Sequence, residues 1–182
     1  MARRERYGGG QILVSDPDPV WPAMFEQERV RIQAALGSIV ITIEHIGSTA
    51  VPGLAAKPII DLLVGVRSLD EARSSCLEPM QALGYTYIAE YDSWLPDEML
   101  FRKGVPGPWT HHAHVTEPAG SRWDEYLQLR NYLRRHPETA RAYADLKRAL
   151  ALEFEDDIAG YRNAKRRFVH AVIAKASAEK GW

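Results

Sequence analysis

The stretch "EHIGSTAVPGLAAKPIIDLLVGV", Glu44–Val66, decides how this chain is read. It sets a Gly-Ser pair, two prolines and Lys57 just ahead of an apolar run that carries a single acid, Asp61. "PIIDLLVGV" is almost continuously apolar, the pattern of a strand covered on both faces. Asp61 shares its strand face with Ile59 and Leu63. A carboxylate there is costly unless it is paired or holds a metal. Gly47 and Ser48 close the preceding strand, and "STAVPGL" opens a short helical turn. Such a turn aims free backbone N–H groups at an anion, and Ser48 and Lys57 add a hydroxyl and a positive charge. A plainer reading has Ser48 as a helix cap and Asp61 paired with an arginine. Local spacing leaves both open.

Outward from that stretch, "SIVITIEHI" is rich in β-branched residues and reads as a strand. Strict alternation puts Ile39, Ile41, Ile43 and His45 on one face, with Val40, Thr42, Glu44 and Ile46 on the other. A helix is expected from Pro22, with Phe25, Val30, Ile32, Ala35 and Leu36 as its apolar positions and Gly37 as its end. "SLDEARSSCLEPMQAL" suits one helix, with Ser68 and Glu71 as a capping box and Gly84 closing it. "YTYIAE", "EMLFRKG" and "HHAHVTE" read as strands, the last following the Pro/Gly-rich "VPGPW". Helices are then expected across 121–136, 138–153 and 158–176, broken at His136-Pro137 and Asp156-Asp157. The fold class is therefore α+β: a mixed sheet flanked by helices, with a helical C-terminal half that covers it. Residues 1–20, with "GGG" and "DPDP", read as an extended arm, and 21–182 as one domain.

Composition narrows the function classes. The 182 residues carry a net charge of −1, which gives no general pull toward nucleic acid or membrane. Cys76 is the only cysteine, so neither an internal disulfide nor a cysteine-based zinc site is available. The N-terminus has basic residues without an apolar core after them, and no run reaches the roughly 18 apolar residues of a membrane helix. A cytoplasmic location without a membrane partner is the expectation.

Other residues carry chemistry. In "HHAHV" three of the six histidines fall within four positions, and on a strand His112 and His114 share a face. That pair suits a metal, a phosphate or proton transfer, or simply a half-solvated sheet face. Arg102, near a strand end, is suited to grip a phosphate or carboxylate, or to form a surface ion pair. Glu44 lies on the more polar face of its strand, within possible reach of Asp61 one strand over. Lys165 shares a helix face with Tyr161 and Phe168, and either snorkels past them or reaches an anion in a cleft. "QLRNYLRRHPETARAYADLKRAL" is amphipathic and basic on one face, the usual mark of a solvated helix. Acids such as Glu153, Glu155 and Asp156 interrupt that basic character, so nucleic-acid binding is the weaker reading.

The strings "IEHIGSTAVPGLAAKPIID", "FRKG", "HHAHV", "LRNYLRRHPETARAYADLKRALA" and "YRNAKRRFVHAVI" occur in the order seen in the GrpB-like family, and the chain resembles it from about Val14 to Ala176. The resemblance implies a fold similar to the polymerase-β-like nucleotidyltransferases. In active members of that superfamily a Gly-Ser turn holds nucleotide phosphates, and paired acids on the next strand bind magnesium. Carried over residue by residue, Gly47 and Ser48 look like the turn, with Lys57, Arg102 and Lys165 as further phosphate contacts. Asp61 looks like the first acid, with Glu44 as a possible supplement. Position 63, where the second acid belongs, is Leu, so the two-metal arrangement is incomplete. His112 and His114 stand where the third acid is expected. Imidazoles suit zinc better than magnesium, and manganese is intermediate. The expected cofactor is one divalent metal (Mg, Mn or Zn) on Asp61, His112 and His114. The expected partner is a nucleotide or other phosphorylated small molecule. Two functions follow from the resemblance: nucleotidyl or phosphoryl transfer, or a non-catalytic nucleotide- or metal-binding regulatory protein.

Overall fold

A computed structural model describes residues 12–104, 109–155 and 157–179. Residues 1–11 of the expected arm, most of the "VPGPW" loop and Asp156 lie outside the described residues. The elements run α1 (Trp21–Leu36), β1 (Val40–Ile46), β2 (Ile60–Val66), α2 (Leu69–Ser75), α3 (Leu77–Ala82), β3 (Tyr85–Tyr87), β4 (Met99–Gly104), β5 (Trp109–Thr116), α4 (Ser121–Arg135), α5 (Pro137–Phe154) and α6 (Ile158–Ala178). The α+β class and the helical C-terminal half are as expected.

The five strands form one mixed sheet in the order β1-β2-β5-β4-β3. β2 and β5 are parallel, and the other neighbours are antiparallel. β2 is central and covered on both faces, as its composition requires. Ile60, Leu62, Val64 and Val66 join Ile32, Leu36, Met80, Phe101 and Val115 in the main core under α1–α3. Leu63, on the other face, packs with Ile46 and Trp123 of α4. Fully burying each such aliphatic side chain stabilises the fold by about 1.5–3 kcal/mol.

Three expectations are corrected. β1 begins at Val40, after a short 3-10 turn over Gly37–Ile39, and its register with β2 shifts between Val40 and Thr42. The shift breaks strict alternation: Val40 and Ile43 both reach the core, while Ile41 is 55% exposed. The single helix expected over Ser68–Leu83 is two, α2 and α3, separated at Cys76. Pro79 explains the break, because its ring clashes with the Ser75 carbonyl and it has no N–H to give. In α1, Val30 is exposed, and the buried stripe is Trp21, Glu28, Ile32 and Leu36. Ser68 does cap α2, its Oγ accepting from the Glu71 amide at 3.3 Å, and Glu117 accepts the Leu69 amide at 2.8 Å.

A second cluster fixes the segment that links β1 to β2. Val51, Leu54 and Ala55 pack on Tyr132, Leu133, Tyr143, Ala144 and Val172 from the three C-terminal helices. The residues just before α1 join here as well, through a two-way backbone bridge between Ser15 and Ala56.

Candidate functional site

Strand register assembles the site. Asp61 of β2 is paired with His112 of β5, and His112 with Arg102 of β4, giving one row across three strands. The next row on the same face is Leu63, His114 and Leu100. His112 Nδ1 lies 3.2 Å from Asp61 Oδ1, and His114 Nε2 lies 3.9 Å from the same oxygen. Sequence alternation predicts that His112 and His114 share a face, the resemblance groups them with Asp61, and the strand pairing places all three on one face.

His114 is held from behind. Its Nδ1 lies 2.6 Å from Glu98 Oε1, while Tyr126 donates to Glu98 Oε2 at 2.9 Å. Glu98 is 1% exposed and is one of the functional residues that sequence reasoning missed. Burial alone would depress the His114 imidazole, but the Glu98 and Asp61 carboxylates outweigh it and raise its pKa to about 9. Burial would push both carboxyls up, and the imidazoles beside them hold both below the usual range instead. His112 is lowered, chiefly by burial, against the pull of Asp61.

The turn is anchored by cations from the helices. Gly47 (φ 70°) leads into a 3-10 turn over Ser48–Ala50. Arg134 donates to the Ala50 carbonyl at 2.9 Å, and Arg130 donates to the His45 carbonyl at 3.0 Å and to Glu44 at 2.7 Å. Lys147 donates to Ser48 Oγ at 2.9 Å and also to the Ala55 carbonyl. The basic helical stretch is thus not simply solvated, because Lys147 is 3% exposed. Its signal was legible in spacing: Ala140, Tyr143, Ala144, Lys147 and Leu150 form one buried stripe. Glu44, expected near Asp61, is engaged by Arg130 and does not line the cavity.

That cavity, about 400 Å³, opens between the sheet face and α4–α6. Gly47, Ser48, Asp61, His112 and His114 line it together with the basic side chains Lys57, Arg102, Arg130, Lys147, Arg162, Lys165 and Arg166. Among the described lining residues Asp61 is the one carboxylate. Lys165 faces the cavity, its Nζ 5.8 Å from the Tyr161 ring centre. Arg102, expected at a rim, is 5% exposed and donates to the Tyr91 hydroxyl at 3.0 Å. Crowding of like charge is evident. Burial, then Lys165 and Arg162, lower Lys57 to about 8; burial, Lys165 and Arg148 lower Lys147 to about 7. A concave site that gathers cations at this cost has the electrostatics to attract an anion.

The GrpB protein family model matches residues 11–175. The chain belongs to the GrpB family. It is 41% identical over 173 residues to the UPF0157 protein PA4798 of Pseudomonas aeruginosa, covering 92% of this chain and 69% of that protein. It is 31% identical to the Glutamate-rich protein GrpB of Alkalihalophilus pseudofirmus, covering 90% of this chain and 95% of that one. The crystal structure of the conserved protein GrpB from Enterococcus faecalis superposes with a TM-score of 0.83 at 34% identity, covering 90% of this chain and 96% of that chain. A GrpB relative thus shares the sheet and the helical cover that form the cavity. Among the described residues, no helix is long and apolar enough to cross a membrane.

Proposed function

We propose that this GrpB-family chain binds a nucleotide or closely related phosphorylated small molecule in the cavity between its sheet and α4–α6, in the cytoplasm, and transfers a nucleotidyl or phosphoryl group from it. The observation that carries the reading is the lining: seven lysines and arginines converge on a cavity whose described lining holds one carboxylate, Asp61. The Gly47-Ser48 turn adds backbone N–H groups beside that field.

The Asp61, His112 and His114 ligand atoms lie within 4.8 Å of one another, which fits a single divalent cation. The donor set is one oxygen and two nitrogens, so zinc or manganese suits it better than magnesium. Glu98 behind His114 Nδ1 leaves Nε2 as the coordinating atom, the usual support of a ligating histidine. When bound, such a cation supplies Lewis acidity toward a phosphate oxygen. The chain's own cations, Lys57, Arg162 and Lys165, orient the phosphates and stabilise charge on a departing group. A second reading, binding without catalysis, is favoured by Leu63, which stands where a bridging acid is needed and is fully buried.

Calorimetric titration of the four ribonucleoside triphosphates and of pyrophosphate, each with and without zinc or manganese, tests the proposal. Saturable binding that weakens at least tenfold in a Lys57→Ala, Lys165→Ala double variant is expected. Absence of binding for every ligand and metal overturns it. Nucleotide bound without any product on prolonged incubation selects the second reading.

A further inference from the structure

Ser48, Lys147 and Tyr143 form a cluster that anion binding alone does not account for. Lys147 Nζ lies 2.9 Å from Ser48 Oγ and also meets the Ala55 carbonyl, and Tyr143 lines the same end of the cavity. Lys147 is 3% exposed, and its Nζ stands 4.6 Å over the Tyr143 ring. A lysine that only gripped phosphate would extend into the cavity with its three donors available. This one spends a donor on a backbone carbonyl and is seated against a hydroxyl.

We propose that Ser48 is a nucleophile of this site and Lys147 the base that takes its proton, so that a nucleotidyl group is carried as an ester on Ser48. The inference rests on the nucleotide reading above. It also answers the difficulty posed by Leu63. Without a second acid to seat a second metal, the usual means of activating an acceptor hydroxyl is missing. A neutral buried amine beside a serine hydroxyl supplies that activation from the chain itself.

The step balances as follows. Ser48 Oγ attacks the α-phosphorus of a bound nucleoside triphosphate and a phosphorus–Oγ bond forms. The bond from that phosphorus to the bridging oxygen of the β-phosphate breaks, and pyrophosphate leaves. The Oγ proton passes to Lys147 Nζ, which becomes an ammonium. An acceptor hydroxyl or water then attacks the same phosphorus and the phosphorus–Oγ bond breaks; Lys147 returns its proton to Oγ, and the proton lost by the acceptor passes to solvent.

The environment of Lys147 favours the neutral amine. On its own helix Tyr143 and Arg148 stand near it; the turn presents Ser48 and the Ala55 carbonyl; α6 presents Lys165. None of these is a carboxylate, so burial and the two cations bring its pKa down to about 7. Lys147 donates to Ala55 and to Ser48 Oγ; once neutral, its lone pair would take the Ser48 proton across the same 2.9 Å.

The test uses the full chain with each nucleoside triphosphate labelled at the α-phosphate, with manganese or zinc, quenched in acid. Intact mass and peptide mapping should find one nucleoside monophosphate added to the peptide that contains Ser48. Its formation rate should rise with pH through about 7 and be abolished in Ser48→Ala and Lys147→Met, both checked for a native melting transition. Nucleotide binding by calorimetry without an adduct in wild type overturns the proposal and leaves the binding reading standing. An adduct that persists in Ser48→Ala overturns it too. No binding at all removes both.

Discussion

Gly47 packs its backbone directly against the Asp61 carboxylate: a Cβ at position 47 would lie 2.2 Å from Asp61 Oδ2. The backbone there has φ 70° and ψ −171°, a conformation that side chains other than hydrogen rarely adopt. Gly47→Ala should therefore cost about 1–3 kcal/mol of stability and also displace Asp61. Urea unfolding would read the first effect. Zinc titration of the folded variant should show weakened binding, and unchanged affinity would show that Asp61 is not a ligand.

Glu98 acts on the site through His114. Glu98→Gln keeps the shape but removes the charge that orients the imidazole and makes it more basic. Zinc affinity, measured by chelator competition, should fall roughly tenfold to a hundredfold. An affinity equal to wild type would mean that the Glu98–His114 contact serves folding alone.

His45 makes folding sensitive to acid. Its ring stacks on Phe25 at 4.6 Å and lies 3.0 Å from Thr49 Oγ1, and burial lowers its pKa from 6.5 to about 4. The unfolded chain thus takes up a proton at higher pH than the folded one. Stability is fully present above about pH 6.5 and is lost as pH falls through about 4. Between pH 7 and pH 5 this amounts to about 2 kcal/mol, before ordinary carboxylates titrate. Urea midpoints for wild type and His45→Gln should converge as the pH is lowered across that interval, and parallel curves would refute the assignment.

Lys57 and Lys147 should set the pH profile of anion binding. Sulfate keeps its charge across the neutral range, so any change reports the protein. Affinity should decline as pH rises through about 7 and again through about 8, where first Lys147 and then Lys57 lose their protons. Lys57→Met should remove the upper part of that decline. A pH-independent affinity in wild type would indicate that arginines alone hold the anion.

Much of this molecule was legible because strand alternation and short motifs are local. His112 and His114 were assigned to one face from their spacing, Asp61 was joined to them by the family resemblance, and the row through β2 and β5 follows from register. The Gly47-Ser48 turn, Lys57, Arg102 and Lys165 were likewise found from position, and all line the cavity. Glu98 was not, because its link to His114 depends on how β4 and β5 pair across a loop that sequence does not position. Glu44 was read as a neighbour of Asp61 from the polar face of its strand. Arg130, distant in sequence, takes its carboxylate. Ile41 was placed on one face with Ile43 because alternation cannot anticipate a register shift. Lys147 had the apolar-stripe signal that singled out Lys165, but it lay within a helix whose charge suggested solvent.

Leu63 ties the floor of the site to the seating of α4. Its side chain fills the space between Ile46 and Trp123 where α4 rests on the sheet. A single Leu63→Asp exchange would replace the apolar contact with Ile46 and the Trp123 indole by a carboxylate in the row of His114, so lost packing would oppose whatever that histidine offers. Seating an acid at position 63 would require Trp123, and with it the seating of α4, to change at the same time. Packing under α4 therefore opposes any acid there before it could meet a second cation.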